Sequence, residues 1–107
     1  MEMSEPIVVL VTCGSEEEAS RIARSLVDER FAACANILSP IRSIYRWEGK
    51  ICDDKEWLLL IKTQKGKFDD LEKRVKALHS YSVPEIIALP IIQGSSSYLQ
   101  WLTEMTE

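Results

Sequence analysis

The sequence predicts an α+β fold of the split β-α-β, ferredoxin-like type, with an antiparallel sheet and an added C-terminal helix. Two observations indicate it. Apolar residues alternate between strand spacing and helix spacing in the order β-α-β-β-α-β-α. The two central strands are separated by a short glycine-containing turn, which is typical of an antiparallel hairpin. A length of 107 residues suits one domain with one core, so we expect residues 1–107 to form a single domain.

The first predicted strand is Ile7–Thr12, a β-branched run that is apolar on both faces. Ser15 followed by Glu18 has the spacing of a capping box, so a helix is expected to begin there. This helix is expected to run to about Phe31. Its apolar face contains Ala19, Ile22, Ala23, Leu26, Val27 and Phe31.

A long extended stretch is predicted from Cys34 to about Trp47, and Pro40 should bend it or mark a bulge. Glu48-Gly49-Lys50 supplies a turn. The strand Glu56–Thr63 follows and completes a β-hairpin. One face of the first hairpin strand contains Ile37, Ile41, Tyr45 and Trp47.

A second helix is predicted from just after Gly66 to about Leu78, with Phe68, Leu71, Val75 and Leu78 on one side. The last strand, Pro84–Ile92, contains Pro90, which suits a sheet edge because an edge strand can spare one N–H. Three serines at 95–97 then offer caps for a short final helix.

Two helices can cover only one face of this sheet, yet Trp57–Ile61 and Ile86–Ile92 are apolar on both faces. Exposed apolar patches of this size usually mark a partner surface, and an open sheet edge invites pairing between chains. The sequence therefore predicts a homo-oligomer with closed symmetry.

Composition excludes several classes of protein. The net charge is −4, and no basic stripe of the kind that binds nucleic acid dominates the chain. No apolar run approaches the roughly 20 residues of a membrane span, and the N-terminus lacks the basic region of a secretion signal. The three cysteines form no CxxC pair, so we expect free thiols in a reducing cytoplasm rather than a four-ligand zinc site.

Several segments resemble a known family along nearly the whole chain. They are VTCGSEEEA, ERFAACANI, IRSIYRWEGKI, LLLIKT, RVKALHSYSVPEIIALPI and YLQWL, in this order. Their pattern is similar to that of the CutA family of divalent-cation tolerance proteins. The resemblance implies the fold predicted above and a tightly packed homotrimer in which long hairpin strands extend sheets across subunits. It also implies tolerance of divalent cations, copper in particular.

The resemblance further implies a metal site formed by Cys13, His79 and Glu85. Thiolate and imidazole suit copper or zinc, and a carboxylate can complete the coordination. Structural alternatives stay open: a packing cysteine, a histidine that caps helix carbonyls, and a glutamate paired with a neighbouring chain's lysine. The family usually has proline directly after this histidine, and Ser80 replaces it here.

A second group mixes aromatic and charged residues near the ends of the hairpin and loops. In a trimer these residues are candidates either to line a ligand-binding cleft, with Lys62 contacting an anion, or to pack the subunit interface. The group contains Tyr45, Trp47, Glu48, Lys62 and Tyr81.

The predicted function is that of a cytoplasmic homotrimer that binds copper or a similar divalent cation and requires no other cofactor. Two alternatives are a trimer that senses a small ligand, by fold-level analogy with PII proteins, and a stable trimeric scaffold for protein partners. The sequence contains no GxSxG motif, P-loop or glycine-rich nucleotide turn, so we do not expect an enzyme.

Overall fold

A computed structural model describes residues 5–107, and the predicted order of elements is confirmed there. Residues 1–4 lie outside the described part. They begin the N-terminal segment that is predicted to lack a secretion signal. A short 3₁₀ turn, Lys65–Lys67, precedes the second helix. The elements are β1 (Pro6–Cys13), α1 (Glu16–Asp28), β2 (Cys34–Ile37), β3 (Ile41–Trp47), β4 (Lys50–Gln64), α2 (Phe68–Leu78), β5 (Ile86–Pro90) and α3 (Ser96–Met105).

The sheet has the strand order β2–β4–β1–β5, and β3 pairs with the first half of β4. All of these pairings are antiparallel. The stretch predicted as one strand from Cys34 to Trp47 is broken around Pro40 into β2 and β3. The last strand, β5, pairs only with β1 among the described residues, so Pro90 lies at a sheet edge as predicted. This is the ferredoxin-like arrangement.

The hairpin between β3 and β4 is longer than predicted, because β4 begins at Lys50 rather than at Glu56. Trp47 faces Lys50 across the turn, and both residues between them have positive φ angles, 49° at Glu48 and 77° at Gly49. Two-residue turns of this kind match the twist of a hairpin. We call β3 with residues 50–56 of β4 the hairpin arm.

Helix α1 ends at Asp28, three residues before the predicted end. Arg30 has φ 63°, a left-handed conformation that an α-helix cannot continue. The next N–H groups turn back: Arg30 N donates to Val27 O at 3.2 Å, and Phe31 N donates to Leu26 O at 2.9 Å. This Schellman-type ending satisfies carbonyls at the helix terminus.

The core lies between helices α1 and α2 and one face of β1 and β4. Its fully buried members are Val9, Val11, Ile22, Leu26, Leu59, Ile61, Leu71 and Val75. At one end of the sheet α3 contacts β4, where Gln64 Nε2 donates to Thr106 Oγ1 at 2.6 Å. None of the helices described within residues 5–107 has the length and apolar character needed to cross a membrane.

Two glycines allow a test of the hairpin turn. Gly49→Ala should lower the free energy of unfolding by about 1 kcal/mol, because alanine is strained at a positive φ. Gly66→Ala should leave it unchanged or raise it slightly, because no atom lies within 4 Å of the added Cβ and its φ is not positive. Urea unfolding of both variants at one protein concentration measures the difference. Equal losses would contradict the role assigned to the turn.

Candidate metal centre

The ends of β1 and α2 meet at one corner of the fold, and His79 joins them. His79 follows the last helical residue and has extended backbone angles, φ −81° and ψ 141°, so the chain leaves the helix there. Its side chain is fully buried, and Nε2 lies 2.7 Å from the carbonyl oxygen of Thr12. The imidazole is therefore anchored to the backbone next to Cys13.

Three potential ligand atoms converge at this corner. One atom each from Cys13, Glu18 and His79 lies within 4.8 Å of the other two, and all three residues are buried. Cys13 ends β1, and Glu18 lies in the first turn of α1, directly after the loop that follows β1. The structure thus brings together two of the three predicted ligands, Cys13 and His79. The carboxylate that joins them is Glu18.

Glu18 forms only one of the two hydrogen bonds that the predicted capping box requires. The N-cap is present, since Glu18 N donates to Ser15 Oγ at 3.2 Å. The carboxylate, however, turns inward, and its Oε2 accepts a hydrogen bond from Ser80 N at 2.9 Å. Arg21 lies 3.8 Å from the same oxygen. The predicted capping box is therefore an N-cap alone, and the glutamate links α1 to the loop after α2.

The other carboxylate oxygen of Glu18 is buried without a hydrogen-bond donor among residues 5–107. It lies 3.7 Å from His79 Nδ1. A buried carboxylate oxygen without a donor is unfavourable, because it has lost water and gained no replacement. This oxygen therefore marks a place where a cation would be stabilised.

The hydrogen bonds of His79 fix its tautomer. The Thr12 carbonyl can only accept, so Nε2 carries a proton and donates to it. The Tyr81 N–H donates to Nδ1 at 3.1 Å, so Nδ1 presents its lone pair. Two electron-rich atoms, this nitrogen and Glu18 Oε1, therefore lie near each other beside the Cys13 sulfur.

Burial raises the pKa of the Cys13 thiol to about 12, and the negative charges of Glu18 and Glu56 act in the same direction. Arg21 lowers the pKa and offsets part of this effect. The thiol is thus protonated at neutral pH, and Cys13 is fully buried. A reactive cysteine instead has a depressed pKa and some exposure, so this environment is not that of a catalytic nucleophile.

The three residues fit a metal ion in their chemistry. Sulfur, imidazole nitrogen and carboxylate oxygen together suit copper or zinc, and three protein ligands leave room for a further ligand. Two features oppose binding: the Cys13 proton must be displaced, and Nδ1 must give up the Tyr81 N–H. Glu18 Oε1 favours it, because that oxygen has no donor to lose among residues 5–107.

Glu85, the third predicted ligand, does not belong to this group of three. It is exposed and lines a separate pocket of about 550 Å³. Tyr45, Trp47 and Tyr81 line the same pocket. The structure thus brings the three predicted aromatic residues together, and it places Glu85 with them.

The two remaining residues of that predicted set do not line the pocket. Glu48 lies in the turn at the tip of the hairpin. Lys62 is opposite Cys34 in the ladder between β2 and β4, and its Nζ donates to Asn36 Oδ1. The pocket therefore lacks the lysine that was predicted to contact an anion.

Sequence reasoning missed two acidic residues at these sites. The sequence predicts only a helix-capping role for Glu18, and its inward orientation depends on a loop 62 residues further along the chain. Glu56 is predicted only as the first residue of a strand, yet it is 7% exposed and lines the pocket. Their signal, an acid at the edge of an apolar segment, is too common in sequences to identify a site.

Comparisons with known proteins agree with the resemblance noted from the sequence. The family model described as CutA1 divalent ion tolerance protein matches residues 7–105. A Thermus thermophilus protein named divalent-cation tolerance protein CutA is 57% identical over 99 residues, which cover 92% of this chain and 96% of the relative. A chloroplastic CutA protein of Arabidopsis thaliana is 49% identical over 94% of this chain, which spans 55% of that relative.

A solved structure supports the same assignment. The divalent cation tolerance protein Cut A1 from Thermus thermophilus superposes with a TM-score of 0.92 at 55% identity. The match covers 98% of this chain and all of that one. The agreement therefore extends over fold and sequence together, from β1 to α3. The chain belongs to the CutA1 family of divalent ion tolerance proteins.

Proposed function

We propose that this protein binds a divalent metal ion, copper or zinc by its ligand chemistry, through Cys13, Glu18 and His79. The observation that carries the proposal is the Glu18 Oε1 atom, which is buried, lacks a donor within residues 5–107 and lies 3.7 Å from His79 Nδ1. The names of the relatives, which refer to divalent-cation tolerance, support it. A bound cation would replace the missing donor.

Glu18 is the better candidate than Glu85 for the carboxylate ligand. Glu18 is buried and contacts the corner through both oxygens, one at Ser80 N and one near His79. Glu85 is exposed and separate from the group of three. A carboxylate already held in place loses less side-chain entropy on binding than a mobile surface group does.

The ligand set can be tested by titrating the protein with Zn²⁺ in a calorimeter and with Co²⁺ by absorption spectroscopy. Glu18→Gln, which keeps the shape and the acceptor for Ser80 N, should weaken Zn²⁺ binding by about tenfold or more. Cys13→Ser should remove the sulfur-to-cobalt charge-transfer band. Glu85→Gln should bind as the parent does.

Comparison of the Glu18→Gln and Glu85→Gln variants distinguishes the two candidate ligand sets. A loss of binding in Glu85→Gln with none in Glu18→Gln would replace our ligand set with the one suggested by family resemblance. Parent-like binding in Cys13→Ser would show that the metal binds elsewhere. Circular dichroism of each variant controls for folding.

We also propose that the protein assembles as a homotrimer. Within the described residues, positions 50–55 of β4 pair only with β3, so this half of the hairpin arm lacks a third strand. A two-stranded ribbon is marginally stable by itself in water. The arm also exposes large apolar side chains, with Ile44 63% and Ile51 70% exposed.

The edge strand β5 presents a second apolar surface. Ile87 is 51% exposed and Leu89 54% exposed, next to the open face of β1. Large apolar side chains grouped at an exposed sheet edge favour burial between subunits. A third strand for the arm and a cover for β5 are both supplied if copies pack in a closed ring.

Light scattering coupled to size-exclusion chromatography should give the mass of a trimer for the parent. Ile51→Glu should shift the mass toward the monomer, because it places a charge in the proposed interface without touching the core. Ala77→Glu, which adds the same charge on the exposed side of α2, should remain trimeric. A monomeric parent at micromolar concentration, or dissociation by the α2 variant alone, would contradict the proposal.

Other expectations stay predictions. The pocket lined by Tyr45, Trp47 and Tyr81 favours ligand binding over a pure scaffold role. The cytoplasmic location and the absence of catalysis are further predictions. A chloroplastic relative shows that location varies among similar proteins.

A further inference from the structure

The pocket lined by Glu85 lies between the hairpin arm and the loop after His79. Aromatic and acidic side chains line it together. Three aromatic rings line it, from Tyr45, Trp47 and Tyr81, together with the carboxylates of Glu56 and Glu85. No lysine, arginine or histidine of the described residues belongs to the lining. Aromatic faces and carboxylates both attract positive charge.

Tyr81 forms a fixed wall of this pocket. Its ring lies against His79 with centroids 4.7 Å apart, and its hydroxyl donates to Glu56 Oε2 at 2.8 Å. A Cβ atom at Gly14 would lie 3.1 Å from the Tyr81 hydroxyl oxygen, so the missing side chain at Gly14 leaves space for the tyrosine. Burial, followed by the bond to Glu56, raises the pKa of Tyr81, so its hydroxyl remains a donor.

Glu56 is a buried carboxylate that lacks a cationic partner among residues 5–107. It is 7% exposed, and the hydrogen bond from Tyr81 is the only one its side chain receives from that part of the chain. No ion pair of the described residues reaches it. Burying a negative charge with one neutral hydrogen-bond donor and no cation is costly, so a cation that fills this pocket is favoured.

One cation of the hairpin arm, Arg42, is already paired. Arg42 binds Asp53 through two hydrogen bonds of 2.8 and 2.6 Å, and its strand position faces away from Tyr45. Tyr45 donates to Asp54 Oδ2 at 2.6 Å, which orients its ring beside the pocket. Arg42 is thus not available to Glu56, which forms no ion pair within residues 5–107.

We propose that this pocket binds a small organic ammonium ion, whose N–H groups donate to Glu56 while its carbon skeleton packs against Tyr45, Trp47 and Tyr81. Glu85 at the surface adds attraction for the approaching cation. The site differs from the proposed metal centre, since none of the three residues Cys13, Glu18 and His79 lines the pocket. This chemistry favours a cation over an anion, because two carboxylates line the pocket and Lys62 of the same chain does not.

Three probes of similar shape and different charge test the proposal on the 107-residue chain: benzylammonium, benzyl alcohol and benzoate. Calorimetry should show binding of benzylammonium, with benzyl alcohol weaker by about tenfold or more and benzoate silent, as expected for one charge-assisted hydrogen bond. NMR should show the shifted signals at Trp47 and Tyr81.

Matched variants locate the site. Glu56→Gln, which keeps an acceptor for Tyr81, should lower benzylammonium affinity about tenfold or more, whereas Glu104→Gln on the exposed side of α3 should have no effect. Cys13→Ser should bind benzylammonium normally, so failure of the metal proposal would leave this result unchanged.

Three outcomes would overturn the proposal. Equal binding of benzylammonium and benzyl alcohol would show an apolar cleft without charge selection. Zn²⁺ that displaces benzylammonium in Cys13→Ser would show that the pocket is a metal site. No binding to the parent, together with binding to a monomeric Ile51→Glu variant, would show that a second copy of the chain fills the pocket.

Discussion

The ladder between β1 and β4 determines where nearly every other feature of this protein lies. It pairs Pro6 with Gln64 at one end and Cys13 with Trp57 at the other. One face of the paired region forms the core under α1 and α2. Glu56 directly precedes Trp57 in β4 and lies just beyond the end of β1. Residues 50–55 continue from there into the hairpin arm. Core, corner and arm therefore follow from one register, and a shift by one residue would reverse the faces of all three.

The corner at the end of this ladder concentrates negative charge. Glu18 of α1 and Glu56 of β4 both act to raise the pKa of Cys13. Neither forms a close ion pair with a lysine or arginine of residues 5–107, since the contact of Glu18 with Arg21 is 3.8 Å long. Holding these carboxylates away from water costs folding free energy, which is understandable if cations bind there. Two adjacent cation sites of different chemistry are consistent with this arrangement.

Ser80 shows how one residue changes the corner. Its N–H holds one oxygen of Glu18 at 2.9 Å, and a proline at this position has no N–H to donate. With proline here, Glu18 would need another donor for this oxygen. Ser80 thus makes a specific contact in the structure. It fixes the carboxylate that lies beside His79.

Local sequence determined the elements of this protein, because periodicity, turns and caps act over a few residues. The helix start at Ser15, the break at Pro40 and the turn at Gly49 were readable in this way. The sequence predicted only part of the candidate site. Family resemblance suggested Cys13 and His79, whereas Glu18 and Glu56 are placed by contacts across 62 and 25 residues of chain. Tertiary structure decided those roles, because the direction of a carboxylate depends on the donors that folding brings to it.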